Sequence, residues 1–194
     1  MRKWCAVFLA LWGAAAWGAA VPAIDKRDTP LGEAASRRFK LCERMLATLP
    51  AMATGTFVQR KTLADVEVTI TSSGTFCIVK DKSFEWKTLK PLPSTFTATP
   101  ESYTITANGK SSTRAIAELK LSAGLRSLVK GDLSALKDVF DVTEAENRVV
   151  LVPKTRELRE FVKRATLEGT DFPSRFTLDY ATGDRLEIDL VQSR

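Results

Sequence analysis

Between Thr69 and Pro93 the chain reads TITSSGTFCIVKDKSFEWKTLKPLP. Phe76, Ile78 and Lys80 stand at alternate positions, and Phe84 and Trp86 follow beyond the charged turn Lys80-Asp81-Lys82. In an extended strand, residues two apart share a face. One face therefore carries Phe76, Ile78 and Lys80, and the other Thr75, Cys77, Val79 and Asp81. An apolar surface that ends at a cation beside a turn is a sheet edge that could guard an opening. The pattern predicts a strand ending near Ser72-Ser73-Gly74, a second strand through Phe76 and Ile78, and a third carrying Phe84 and Trp86.

The residues that make and break bonds are missing or badly placed. The chain has no histidine, which removes the commonest general base and the commonest zinc ligand. It has no glycine-rich phosphate loop and no cysteine pair at metal-ligand spacing. Glu144 and Glu146 are paired carboxylates, but they flank a predicted turn at Asn147, where exposed turn charge accounts for them. Ser72-Ser73 has no base beside it. The expectation is a protein that is not an enzyme and needs no cofactor or metal.

The elements that position the apolar face follow from periodicity. Arg2 and Lys3 precede an apolar run from Trp4 to Trp17, and Gly18-Ala19-Ala20 supplies small residues before Val21. This is the layout of a cleaved signal peptide over 1–20, leaving 21–194 as a single exported domain. The chain's 29 Lys and Arg, less Arg2 and Lys3, stand against 23 Asp and Glu, a net of +4. Basic residues are interspersed with acids, as in Lys137-Asp138, so no stripe is offered to nucleic acid.

Glu33 to Leu49 carries Phe39, Cys42, Leu46 and Leu49 at helical spacing, and Pro50 stops it. Thr54–Lys61 and Val66–Ser72 alternate as half-buried strands. Lys90-Pro91-Leu92-Pro93 reads as a loop, Ser102–Ala107 as a strand with Tyr103 and Ile105 on one face, and Asn108-Gly109 as a hairpin turn. From Thr113 to Phe140 the period turns helical, with Ile116 and Leu119 apolar. Strands resume at Phe140–Thr143, Arg148–Pro153 and Glu160–Leu167. A final hairpin sets Phe176, Leu178 and Tyr180 against Leu186, Ile188 and Leu190. The fold class is α+β: a curved antiparallel sheet burying one face of each strand against helices.

Several short segments resemble the LolA-like family of periplasmic lipoprotein carriers, over roughly Glu33 to Val191. Thr56-Phe57-Val58-Gln59-Arg60-Lys61 is similar to the family's first strand, Ser73-Gly74-Thr75-Phe76 to its glycine-led strand, and Phe84-Glu85-Trp86 to its Phe-x-Trp step. Leu151-Val152-Pro153-Lys154 and Leu158-Arg159-Glu160-Phe161 are similar to elements further on. The resemblance implies an incomplete antiparallel β-barrel, with an N-terminal helix and a mid-chain helical insertion forming a lid. It also implies a monomer in the periplasm that holds acyl chains of a lipoprotein or other lipid and hands them toward the outer membrane. Its partners would be an inner-membrane donor and an outer-membrane acceptor protein. The cavity would be lined by Phe57, Ile70, Phe76, Ile78, Phe84, Trp86, Tyr103 and Ile105. The lid and latch would comprise Phe39, Leu46, Ile116, Leu119 and Lys80, the last replacing a family arginine with a less directional donor. The family also continues past the final hairpin, where this chain reaches Arg194. Alternation does not separate a hollow barrel from a filled one. A non-enzymatic module sensing lipid or peptide on the same fold therefore stands beside the carrier.

Export to an oxidising compartment would favour a disulfide between Cys42 and Cys77. Strand parity opposes it: Cys77 lies opposite Phe76 and Ile78, away from the face on which the helix bearing Cys42 would rest.

Overall fold

The computed structural model describes Leu41 and residues 50–79, 82–115 and 139–193. Within them are eleven strands: β1 (Met52–Leu63), β2 (Val68–Val79), β3 (Ser83–Lys90), β4 (Ser94–Ala98), β5 (Ser102–Ala107), β6 (Lys110–Ala115), β7 (Phe140–Glu144), β8 (Arg148–Pro153), β9 (Val162–Gly169), β10 (Pro173–Tyr180) and β11 (Arg185–Gln192). They form one open, curved antiparallel sheet in the order β6-β5-β4-β3-β2-β1-β11-β10-β9-β8-β7. Except for β6 and β7, strands adjacent in sequence pair with each other, and β1 with β11 joins the two halves. The edges are β6 and β7, between which residues 116–138 run in sequence.

The expected strands are present, with three corrections. The strand expected over Val66–Ser72 begins at Val68 and runs on through Phe76 and Ile78 as one β2, with a register shift against β3 between Ser73 and Gly74. Ser72-Ser73-Gly74 has the composition of a turn, yet these residues pair in register with Gln59, Val58 and Phe57 of β1. Ser94–Ala98, unassigned in the sequence reading, is β4, a five-residue strand directly after Pro93. Residues from Thr113 do not begin a helix, because Lys110–Ala115 is β6. Every residue of β6 is exposed, so neither face carries the apolar period that reveals a strand. It is held by its turn and by hydroxyls instead. Asn108 and Gly109 have φ of 52° and 71°, the left-handed pair that two-residue hairpins need. Thr104 meets Thr113, and Thr106 meets Ser111, at 2.8 Å each.

Helix is sparse among the described residues. A single turn, α1 (Arg156–Arg159), is capped by the Thr155 side chain, which accepts from the Leu158 N–H. This turn displaces the start of β9 from the expected Glu160 to Val162. Leu41 and Val139 also have helical backbone, and both are buried with the inward side chains of the sheet. The rest of the expected leading helix and of the mid-chain insertion lies outside the described residues.

Register gives each face of the sheet its own chemistry. The convex side of β9, β10, β11 and β1 carries a ladder of alternating charge. Asp189 accepts from Arg60 at 2.6 Å and from Arg175 at 2.7 Å. Asp179 accepts from Arg164 at 2.7 Å, and Arg185 lies between Asp179 and Glu187. Hydrogen bonds from Arg60 and Arg175 hold the Asp189 carboxyl below its ordinary value near 3.8. Because the folded value is the lower one, the stabilisation is complete above the ordinary value and is lost as pH falls through the depressed one. Exposed pairs each contribute at most about 1 kcal/mol. Asp189→Asn is therefore expected to cost about 1 kcal/mol at pH 7. Thermal unfolding of both proteins between pH 7 and pH 2 should show that difference closing at the acid end.

Candidate functional site

The opposite, concave face is built on two reciprocal pairs. Phe57 of β1 lies across from Gly74 of β2, and Phe76 of β2 across from Gly55 of β1. A Cβ on Gly74 would sit 2.9 Å from the Phe57 ring and against the Lys87 backbone carbonyl. One on Gly55 would sit 2.5 Å from the Phe76 ring and against the Val191 carbonyl. Each glycine is thus the seat on which the neighbouring strand's ring lies flat. Gly74 is a packing position, which explains its place inside a strand.

From these seats a row of aromatic rings crosses the sheet. Phe57 stacks on Trp86 at 3.7 Å between centroids and 20° between planes. Trp86 is 6.0 Å from Phe84 and 6.4 Å from Phe76. Phe84 continues to Phe96 of β4, and Phe96 to Tyr103 of β5. In the other direction Phe76 reaches Phe172, in the loop before β10, at 5.9 Å. Phe172 comes from the far side of β1 and β11, so this contact crosses the hollow of the sheet. Phe176, Leu178, Leu186, Ile188, Val149 and Leu151 complete the face from the other half.

Of the residues assigned to a cavity from the sequence, Phe57, Phe76, Ile78, Phe84 and Trp86 fall in one buried cluster. Tyr103 joins it through Phe96. Ile70 and Ile105 share the inward parity but are 48% and 39% exposed, at the far end of β2 and beside the β6 edge. Lys80, Phe39, Leu46, Ile116 and Leu119 lie outside the described residues, as does Cys42. Cys77 is half-buried, carries a free thiol and has the convex parity expected of it. Phe96 and Phe172 were not foreseen. The alternation Ser94-Thr95-Phe96-Thr97-Ala98 would have found the first, whereas nothing local marks Phe172. Among the described residues no cluster of acidic or sulfur ligands could hold a metal.

One end of this face is polar. Lys61 shares the parity of Phe57, pairs with Ile70 on one side and Leu186 on the other, and stands 5.6 Å from the centre of the Tyr180 ring. The Tyr180 hydroxyl is buried without a hydrogen-bond partner. Burial, with a smaller contribution from Asp184, pushes it up to about 12. At that end Asp184 accepts from the Ala64 N–H at 3.0 Å.

No family model matches the sequence, and no curated protein does. The solved structures that resemble this fold are distant. A LolA superfamily protein from Nitrosomonas europaea is 9% identical with a TM-score of 0.44, over 78% of this chain and 89% of that one. The lipoprotein LppX of Mycobacterium tuberculosis is 8% identical with a TM-score of 0.46, over 78% and 92%. A chain from the MucA/MucB complex of Pseudomonas aeruginosa is 13% identical with a TM-score of 0.46. The match covers 80% of this chain but only 56% of that one.

The glycine seats are open to test. Gly74→Ala sets a methyl against the backbone of β3 as well as the Phe57 ring, and such overpacking costs typically about 1–3 kcal/mol. At Gly109 nothing lies within 4 Å, so Gly109→Ala meets only the left-handed backbone cost, roughly 1 kcal/mol. Urea unfolding should rank Gly74→Ala the more damaging. Trp86 emission should move to the red for Gly74→Ala and stay in place for Gly109→Ala.

Proposed function

We propose that residues 21–194 form a periplasmic, non-enzymatic carrier, exported by a signal peptide over 1–20. It binds the acyl chains of a lipoprotein or other lipid on the concave face and hands them toward the outer membrane. The observation that carries this reading is the continuous aromatic row from Phe172 through Phe76, Trp86 and Phe84 to Phe96 and Tyr103. It offers an acyl chain a long apolar surface and no reactive group. Each buried methylene gains about 0.8 kcal/mol, so one long chain gains on the order of 10 kcal/mol gross.

A carrier must also cover this surface and uncover it. Phe57 and Phe84 are each 2% exposed, although a single sheet leaves the inward side chains of its own layer open. The burial of Leu41 and Val139 among them supports a helical cover. On this reading the lid consists of the leading helix, with Phe39 and Leu46, and the insertion, with Ile116 and Leu119. Lys80 is its latch, and the protein works as a monomer between an inner-membrane donor and an outer-membrane acceptor. The same near-complete burial favours a second reading, a packed module that senses lipid or peptide without carrying either.

Uptake decides between them. Once residues 1–20 are removed, Trp86 is the single tryptophan, so its emission reports on the aromatic row alone. A long-chain fluorescent fatty acid should bind and perturb that emission. Phe84→Glu should abolish the binding, and Ile105→Glu, at an exposed margin that tolerates charge, should weaken it without loss of fold. No uptake and unchanged emission in the parent protein would favour the packed module. Lys80→Leu should slow lipid hand-off to acceptor vesicles, and an unchanged rate would remove Lys80 from the latch.

A further inference from the structure

The inward parity of the sheet carries a cation at Lys61 of β1, apart from Lys110 and Arg114 on the exposed edge strand β6. Lys61 sits four residues from Phe57 on the same side of β1, roughly 13 Å along the strand. Its cross-strand neighbours there are Ile70 and Leu186. Among the described residues its ammonium makes no ion pair, its recorded contact being the Tyr180 ring. Asp184 at this end accepts from the Ala64 N–H, and Asp65 and Glu67 lie in the β1–β2 turn beyond. Beside Lys61, the Tyr180 hydroxyl has lost water and gained no partner, the situation in which a buried polar group is most costly. A cation without an ion pair and a donor without an acceptor therefore stand together on the concave face, along β1 from Phe57.

We infer that Lys61 and Tyr180 form a headgroup site. They take the anionic oxygen group of an amphiphile, Lys61 by charge and Tyr180 by donating its hydroxyl hydrogen. The chain of that amphiphile lies toward Phe57 and Trp86. The site deepens the lipid-binding reading and rests on it. Its ligand class is narrower than acyl chains in general: an apolar chain with an acidic end.

Two probes of equal chain length separate the claims, a fluorescent fatty acid and its methyl ester. The parent protein should bind the acid about tenfold more tightly than the ester, the order expected of one charge-assisted hydrogen bond. Lys61→Met should erase that preference and leave ester binding unchanged, while Lys61→Arg should keep it. Tyr180→Phe should weaken acid binding while raising the melting temperature of the ligand-free protein, because an unpaired buried hydroxyl is removed. A hydroxyl with a purely structural role would not give these opposed effects. Equal binding of acid and ester by the parent, or a preference surviving in Lys61→Met, overturns the headgroup site and leaves lipid binding standing. Unchanged acid affinity in Tyr180→Phe removes Tyr180 from it. Failure of the parent to bind either probe overturns both readings.

Discussion

The exchange of ring for glycine between β1 and β2 is the constraint on which the concave face depends. Phe57 over Gly74 and Phe76 over Gly55 put two large rings flat against the backbone rather than upright from it. A ring lying flat uses little height, so Trp86 can stack on Phe57 at 3.7 Å and a further layer fits above. It also reaches sideways: Phe76, laid across β1, extends far enough to meet Phe172. Side chains at both glycine positions would make the rings stand up and fill the hollow, and would force the strands apart at the Lys87 and Val191 carbonyls.

The convex face and the edges of the sheet are polar in different ways. The convex side uses the cross-strand ladder through Asp189 and Asp179, where each carboxylate serves two arginines. The edges are guarded differently. β6 is polar on both faces and places Lys110 and Arg114 on the inward parity, charges that oppose further strand addition. β7 is five residues long, and Glu144 at its end accepts from the backbone N–H of Leu41. That bond ties the edge to helical backbone from the start of the chain.

Where alternation was strong, the sequence was a good guide. Phe176, Leu178 and Tyr180 against Leu186, Ile188 and Leu190 fixed both the hairpin and its buried side, and the parity of Cys77 followed from Phe76 and Ile78. Alternation failed where a strand had nothing to bury. β6 lacks an apolar residue before Ala115, and its pairing comes from the Asn108-Gly109 turn and hydroxyl contacts that no periodicity reveals. It misled at Gly74 for the opposite reason. A glycine in a strand carries two meanings, a break or a seat, and only the cross-strand partner Phe57 decides between them. Of the proposed site, the aromatic half was legible because rings recur at spacing two. Lys61 and Tyr180 were not, because 119 positions separate them and only the β1–β11 and β10–β11 pairings bring them together.

The burial of Phe57, Phe76, Phe84 and Trp86 bears on how a carrier built this way could release its load. If the row were open to water, an acyl chain would gain the full transfer energy, on the order of 10 kcal/mol for a long chain. Such a complex would part slowly. With Phe57 and Phe84 already buried, a ligand bound as proposed would exchange one apolar contact for another on the protein's side. The gain is then mainly that of desolvating the ligand, less the cost of displacing the cover. On the proposed reading affinity would be reduced without loss of apolar surface, and the proposed lid would return to the same rings as the chain departs. Specificity then has to come from somewhere other than the rings, since any apolar chain satisfies them. A cation and a hydroxyl donor beside the row would supply it, fixing which end of an amphiphile enters last and leaves first.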